Sequence, residues 1–311
     1  MCSSDLPMED PRPLRTSPFQ PRQAALGARF LEGGGWERPQ WYEANATLLA
    51  RHPAGGRGEW ASRFWSPIAG AEALATREGV ALYDLTPLTR IEVSGPGAAA
   101  YLQRMTTNDV DRPVGTVVYT LMLDEAGGIR SDLTVARLAE DRFQVGANGP
   151  LDVDRLGHHA PRGGSVTVRE ITAGTSCVGI WGPRARDVLA RLTREDLTNA
   201  SFRYFRAKRL TLDHIPVTAL RVSYVGELGW ELYIPAEQVL DVFERLTEAG
   251  AKFGLKHAGY HAMASCRVEK GYRHWSHDIA DEDTPLEAGL GFTVAWDKQG
   301  GFIGQIGRAH V

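Results

Sequence analysis

Three ionisable side chains interrupt apolar runs in this sequence, and their types limit the chemistry open to it. Asp132 falls between Ile129 and the apolar positions Leu133 and Val135, Glu231 is embedded in Trp230-Glu-Leu-Tyr-Ile234, and Arg267 follows Cys266 in a helical pattern. A buried charge persists mainly when it is paired or when it holds a ligand. For Glu231 and Arg267 the residues leave two readings open: an internal salt bridge, or a polar ligand that offers both donors and acceptors. For Asp132 the two readings are a solubilising charge on an edge strand or a site acid, because Asp is disfavoured inside strands. His257, His261, His274 and His277 lack the acid-flanked i, i+4 spacing of zinc helices, so no metal is expected. The sequence holds no serine nucleophile elbow, no P-loop and no basic–aromatic stripe.

Asp132 must be positioned by residues 119–138, which read as a β-hairpin. Two β-prone runs flank Glu125-Ala-Gly-Gly128, a glycine-containing loop of the kind that closes antiparallel strands. If Asp124 faces Ile129, Asp132 stands opposite Leu121, on the sheet face of Tyr119 and diagonal to it. An aromatic ring and an acid then share one wall. Glu231 lies in a second strand–glycine turn–strand unit, residues 219–235, with Glu227 in the turn. Residues 236–253 form an amphipathic helix with Val239, Val242, Phe243 and Leu246 on one face. Arg267 belongs to a helix over about 260–270.

Earlier in the chain, Ala71-Glu-Ala-Leu-Ala-Thr-Arg-Glu-Gly79 predicts a helix ended by glycine, followed by a strand at Val80-Ala-Leu-Tyr-Asp84. Residues 90–104 read as a strand turning through Gly95-Pro96 into a helix. Gly95-Pro-Gly-Ala-Ala-Ala100 fits a dinucleotide fingerprint on paper, but proline removes an N–H at the phosphate end and no acid closes a following strand. Duplication explains it better: Val178-Gly-Ile-Trp-Gly-Pro-Arg-Ala-Arg-Asp-Val-Leu-Ala-Arg191 repeats strand, Gly-Pro turn and helix. Two similar α+β lobes, about 68–170 and 171–305, are expected to leave a ligand cleft.

With 311 residues, 43% hydrophobic and 23% charged, the chain is globular in composition, and a net charge of −3 gives no global nucleic-acid footprint. Neither a membrane span nor an export signal is legible, and Cys177 and Cys266 lack CxxC spacing, so a cytoplasmic protein with buried thiols is expected. Met1-Cys-Ser-Ser-Asp-Leu6 and Ile306-Gly-Arg-Ala-His-Val311 back-translate into reverse-complementary strings that resemble a sequencing adaptor, and both are expected to be non-native. Residues 7–67, rich in Pro, Gly, Arg and Trp, read as an extended arm whose aromatics, including Trp36, Trp41, Trp60 and Trp65, pack onto another surface.

Several motifs in order carry a resemblance: Asp84-Leu-Thr-Pro-Leu-Thr89, Gly127-Gly-Ile-Arg-Ser-Asp132, Ser223-Tyr-Val-Gly-Glu-Leu-Gly-Trp-Glu231, Arg267-Val-Glu-Lys-Gly-Tyr-Arg-His-Trp275 and Pro285-Leu-Glu-Ala-Gly-Leu-Gly-Phe292. Over roughly residues 10–305 the chain resembles the aminomethyltransferase (glycine-cleavage T-protein) family and, more narrowly, the folate-binding half of dimethylglycine and sarcosine dehydrogenases. The resemblance implies an α+β fold of duplicated lobes around a tetrahydrofolate funnel, with the family's C-terminal barrel lobe missing after Phe302-Ile-Gly304. By motif, Asp132 would sit near the folate amine nitrogens as the catalytic acid–base. Tyr119, Tyr224, Glu231 and Arg267 would hold the pterin and glutamate portions, with Asn148, Leu88 and the stacking residue Phe205 completing the pocket. Ser131 stands where the family often has a first acid, as in the dehydrogenase-linked branch.

The expected activity is transfer of a methylene unit from an imine of a dimethylglycine- or sarcosine-type amine to tetrahydrofolate. An FAD would be carried by an upstream domain or a partner flavin oxidoreductase. The alternatives are a folate-dependent O- or S-demethylase and a non-catalytic folate-binding assembly factor.

Overall fold

Local sequence signals set most of the element boundaries. The computed structural model describes residue 10, residues 12–53, residue 58 and residues 61–305. The two terminal hexapeptides and Trp60 lie outside these residues. Helix α1 (Gln20–Ala25) leads into strands β1 (Ala28–Gly33) and β2 (Trp36–Tyr42), then α2 (Pro67–Glu78), β3 (Ala81–Asp84) and β4 (Thr89–Ser94). Next come α3 (Ala98–Met105), β5 (Val117–Leu123), β6 (Ile129–Ala139), β7 (Arg142–Ala147), α4 (Pro150–His158), β8 (Thr167–Glu170) and β9 (Thr175–Trp181). The remainder is α5 (Ala185–Leu189), β10 (Ala207–Leu212), β11 (Ile215–Leu220), β12 (Gly229–Pro235), α6 (Val239–Ala251), β13 (Lys256–His257) and α7 (Tyr260–Glu269). Ser66 caps α2 by accepting from the Ile68 amide, Pro67 occupies its first position, and Gly79 ends it. No helix among the described residues is long and apolar enough to cross a membrane.

The fold is α+β. A two-stranded sheet pairs β1 with β2, a six-stranded sheet runs β10-β11-β12-β9-β3-β13, and a five-stranded sheet runs β5-β6-β7-β4-β8. Ladders in the two larger sheets are antiparallel at β11/β12, β12/β9, β3/β9 and throughout β4–β8, whereas β13 runs parallel to β3. The described residues form two compact units: those within 1–87, 174–204 and 209–272, and those within 88–173, 205–208 and 273–305. These units are not two continuous halves of the chain. Strand β3 pairs with β9, and the segment after Arg273 covers Leu121, Leu123 and Ile129 with Ile279, Leu290, Val294 and Phe302. The reason is burial: each of these apolar faces needs a cover that its neighbours in sequence do not supply.

In the first unit, Trp230, Phe202, Phe243 and Phe19 anchor the core, and Val239, Val242, Phe243 and Leu246 of α6 all point into it. The segment read from sequence as an extended arm, residues 7–67, contains α1, the β1–β2 hairpin and a 3-10 helix at Glu43–Ala50 among its described residues, with Phe19 and Trp41 fully buried and Trp65 exposed. In the second unit, Leu102, Met122, Leu133, Phe143 and Leu156 form the core between the five-stranded sheet and helices α3 and α4. Cys177 and Cys266 are free and buried.

Both Gly-Pro turns use a left-handed glycine, Gly95 at φ 114° and Gly182 at φ 134°. A Cβ at Gly95 would come within 2.5 Å of the Ser165 carbonyl oxygen, and one at Gly182 within 2.3 Å of the Gly79 carbonyl oxygen. The glycines therefore serve backbone crossings. The Gly95 and Gly97 amides donate to the carbonyls of Asp141 and Ser165, so they are not presented to a phosphate.

Candidate functional site

The hairpin of β5 and β6 delivers Asp132. Leu121 faces Asp132 as the alternation requires, but a bulge after Met122 makes Leu123, rather than Asp124, the partner of Ile129. Asp124 instead closes the turn: its amide donates to the Gly128 carbonyl at 2.9 Å, and its carboxylate accepts the Gly128 amide at 2.9 Å. The bulge therefore absorbs one residue at the loop and leaves the register at Asp132 intact.

Tyr119 donates its hydroxyl to Asp132 Oδ2 at 2.9 Å, the diagonal contact expected on one sheet face. Thr134 pairs with Gly146, and continuing that register just past β7 puts Asn148 beside Asp132. Asn148 Nδ2 lies 2.8 Å from Asp132 Oδ1, 3.0 Å from the Asp132 carbonyl and 2.9 Å from Ser131 Oγ. Asp132 is half-buried and Asn148 is exposed. Burial pushes the Asp132 carboxyl above the ordinary aspartate value, while Asn148 and Tyr119 pull it down by favouring the anion. A half-buried acid with two side-chain donors can hold or take up a proton without breaking backbone structure.

Behind this trio lies Asp152, which sequence reasoning missed. It sits in the first turn of α4, 6% exposed, and accepts the Asn148 amide at 2.8 Å and the Ser131 hydroxyl at 2.9 Å. Asn148-Gly-Pro-Leu-Asp152 carried the available signal, a proline at the first helical position with an acid two residues on. Burial also raises the Asp152 carboxyl, and the Asp132 charge adds to the rise. Phe292, 75% exposed, places its ring 6.4 Å from that of Tyr119.

Two other expected residues belong to the same unit. Leu88 is half-buried and its carbonyl accepts Arg90 Nη1 at 2.7 Å. Phe205 holds a left-handed φ of 56°, and its carbonyl accepts the Val117 amide at 3.0 Å. Such a conformation costs a bulky side chain roughly 1–3 kcal/mol, which makes Phe205 a strained and noteworthy position.

Tyr224, Glu231 and Arg267 belong to the other unit. Strand β11 stops at Leu220, and residues 221–228 form an irregular turn carrying Tyr224 and Glu227. Arg77 pins this turn to α7, donating to the Val225 carbonyl and Glu227 on one side and to the Cys266 carbonyl and Glu269 on the other. Tyr224 stacks on Tyr272 with ring centroids 6.2 Å apart. Glu231 pairs with Leu220 and Gly179 in the sheet, and its Oε2 accepts the Tyr233 hydroxyl at 2.6 Å. Arg267 is buried on α7 and donates Nη1 to the Tyr272 carbonyl at 3.0 Å. Burial, and then neighbouring Tyr272, raise the Tyr204 hydroxyl above the ordinary tyrosine value. Among the described residues, no group of three or more His, Cys, Asp or Glu is arranged to hold a metal ion.

The profile of the GCVT N-terminal domain matches residues 19–298. The 4-methylaminobutanoate oxidase (formaldehyde-forming) of Paenarthrobacter nicotinovorans is 40% identical over 303 residues, covering 97% of this chain and 36% of that protein. Human mitochondrial sarcosine dehydrogenase is 32% identical over 332 residues, covering 94% of this chain and 36% of its own length. The chain thus spans little more than a third of either relative. The glycine cleavage system aminomethyltransferase T from Bartonella henselae superposes with a TM-score of 0.78 at 26% identity, covering 96% of this chain and 74% of that one. With a family profile spanning most of its length and the T-protein fold beneath it, this chain belongs to the aminomethyltransferase (glycine-cleavage T-protein) family.

Proposed function

We propose that this chain is the tetrahydrofolate-dependent one-carbon transfer module of a larger amine-oxidising enzyme. It would take the methylene unit from the imine of a dimethylglycine- or sarcosine-type amine and form 5,10-methylenetetrahydrofolate. The observation that carries this reading is Asp132, a half-buried carboxylate on a strand, oriented by Tyr119 and Asn148. The likeness to an oxidase and a dehydrogenase of N-methyl amines, and to an aminomethyltransferase, supports the same reaction class. An FAD on an upstream domain or a partner would perform the oxidation, and no residue of this chain is assigned to it.

The donor set suits a reduced folate. A pterin needs acceptors for its amino and ring N–H groups and an aromatic wall for its face, and Glu231 and the Tyr224–Tyr272 stack are residues of those types. Leaving such a buried group unpaired would cost about 1–3 kcal/mol. Arg267 provides a fork for a carboxylate. Leu88 and Phe205, in the same unit as Asp132, are proposed as apolar contacts for folate. Bound folate supplies the amine nitrogen that accepts the one-carbon unit.

Asp132 then acts as the proton acceptor for that nitrogen or stabilises the cation that develops beside it. Tyr119 and Asn148 keep both carboxylate oxygens aimed and reduce the cost of the negative charge. Replacing Asp132 with alanine is expected to lower methylene transfer by about 10²–10⁴-fold while folate still binds. Unchanged turnover, measured as methylenetetrahydrofolate formed from the amine and an oxidising partner, would remove Asp132 from the reaction. Accumulation of 5-methyl rather than 5,10-methylene folate would favour the demethylase instead, and folate binding without turnover would favour the assembly factor.

A further inference from the structure

We propose that Asp152 is a positioning residue for Asp132, acting through the Ser131 hydroxyl and the side-chain amide of Asn148. The functional weight of this inference rests on Asp132 being the proton acceptor, but its geometry is independent of that assignment.

The direction of each hydrogen bond follows from what each group can do. An ionised carboxylate only accepts, so Asp152 Oδ2 takes both the Asn148 main-chain N–H and the Ser131 O–H. Ser131 has one proton and has committed it to Asp152. Its lone pairs must therefore face a donor, and the neighbour at 2.9 Å is the Asn148 side chain. That requirement, together with the Asp132 main-chain carbonyl at 3.0 Å, turns the NH2 end of Asn148 inward, and the same NH2 group reaches Asp132 Oδ1 at 2.8 Å. The charge on Asp152 is thus converted into an orientation, one that presents a donor to Asp132 and favours its anion. Were the amide reversed, its carbonyl oxygen would face Asp132 Oδ1, and that contact is tolerable only if Asp132 carries a proton.

Burial keeps the arrangement definite, since Ser131 is 0% exposed and Asp152 6%, so bulk water does not compete for the chain of bonds. Asp152 also lies in the first turn of α4, where the helix dipole favours a negative charge. Two titratable groups bear on Asp132 from packed elements: Tyr119 on β5, by hydrogen bond, and Asp152 on α4, by its charge. Arg130, its neighbour on β6, is engaged by Asp124 and Asp281.

The sign of one measurement separates this relay from plain electrostatics. Removing a nearby negative charge should lower the Asp132 titration midpoint, whereas reversing the relay should raise it. The experiment is a carbon-13 NMR titration of the Asp132 carboxyl in the whole chain, assigned with Asp132→Asn, for the native protein, Asp152→Ala, Ser131→Ala and the double variant. Asp152→Ala, which removes the oxygen that accepts both bonds, is expected to raise the midpoint by about one pH unit, a tenfold change in proton affinity. In the Ser131→Ala background the same substitution should shift it by less than about a third of that, because the link is already cut. A midpoint that falls, stays fixed, or rises equally with and without Ser131 overturns the proposal.

If Asp152→Ala does not fold, Ser131→Ala alone decides. It leaves the Asp152 charge in place and is expected to raise the midpoint, and an unmoved midpoint rejects the relay. No folate is present in this measurement, so its failure is distinct from failure of the folate reading. With turnover as a second readout, Asp152→Ala should lower kcat and displace the acid limb of the pH profile upward, leaving KM unchanged.

Discussion

Two carboxylates, one in each unit, are held by different donors: Glu72 by three and Asp132 by the side chains of Tyr119 and Asn148. Glu72 on α2 is 0% exposed and accepts the Tyr42 amide at 2.8 Å, Asn45 Nδ2 at 2.8 Å and the Gly259 amide at 3.0 Å. Two of its donors are main-chain groups in separate segments. At Gly259 even a Cβ would lie 2.0 Å from the Gln40 carbonyl oxygen, so the backbone there has no latitude. Asp132 is half-buried, and its carboxylate oxygens are met by the side chains of Tyr119 and Asn148, with Asn148 exposed. Main-chain donors tie Glu72 to the fold and leave no space for a reactant. Side-chain donors at a partly open surface orient Asp132 and still leave it approachable. If Asp132 serves the proposed function, burial of an acid alone does not mark a site; the kind of donor and the residual access do.

Substitutions can break or sharpen this contrast. The largest effect is expected at Glu72→Ala, which strands up to three buried donors at about 1–3 kcal/mol each. A loss of the order of 5 kcal/mol in a denaturant titration is the expected result, and a loss below about 1 kcal/mol would remove Glu72 from its structural role. Asp132→Ala should do the reverse, costing about 10²–10⁴-fold in turnover with little change in unfolding midpoint. Tyr119→Phe leaves Asn148 in place and removes one donor, so roughly a tenfold fall in turnover is expected. The acid limb of its pH profile should move upward, and a limb that does not move would show that the Tyr119 hydroxyl does not tune Asp132.

The smallest effect concerns pH. Burial pushes the Glu72 carboxyl up to about 7, against its three hydrogen bonds. Because the folded value exceeds the unfolded one, the associated stability is complete below the ordinary glutamate range and is lost as pH rises through about 7. The stability difference between the native protein and Glu72→Gln should therefore decline across that window, and a flat difference would sink this account of Glu72.

Much of the site was legible because period-2 alternation is strict. Once residues 119–138 are read as a hairpin, Asp132 must share a face with Tyr119, and the observed Leu121–Asp132 pair confirms that register. The bulge after Met122 was not legible, since it depends on Asp124 folding back onto Gly128. The Gly-Pro turns were read correctly as repeated elements. Their glycines answer to the carbonyls of Ser165 and Gly79, distant residues that no local pattern reveals. Residues 12–53 were read as an extended arm whose aromatics pack onto another surface, and their own elements were not legible because Phe19 packs on Phe243 and Trp41 stacks on His261, both far along the chain.

By itself the sequence determined the strand and helix signals, the duplicated turn and the acid on the hairpin, because those depend on neighbours within a few residues. Only the tertiary structure decided that Glu72, an ordinary residue in an alanine-rich helix, is a buried tether, and that Asp152 stands behind Asn148 and Ser131. Both outcomes turn on which backbone amides and hydroxyls are brought to a carboxylate by packing, and hydrogen-bond partners chosen in three dimensions leave no periodic trace in one.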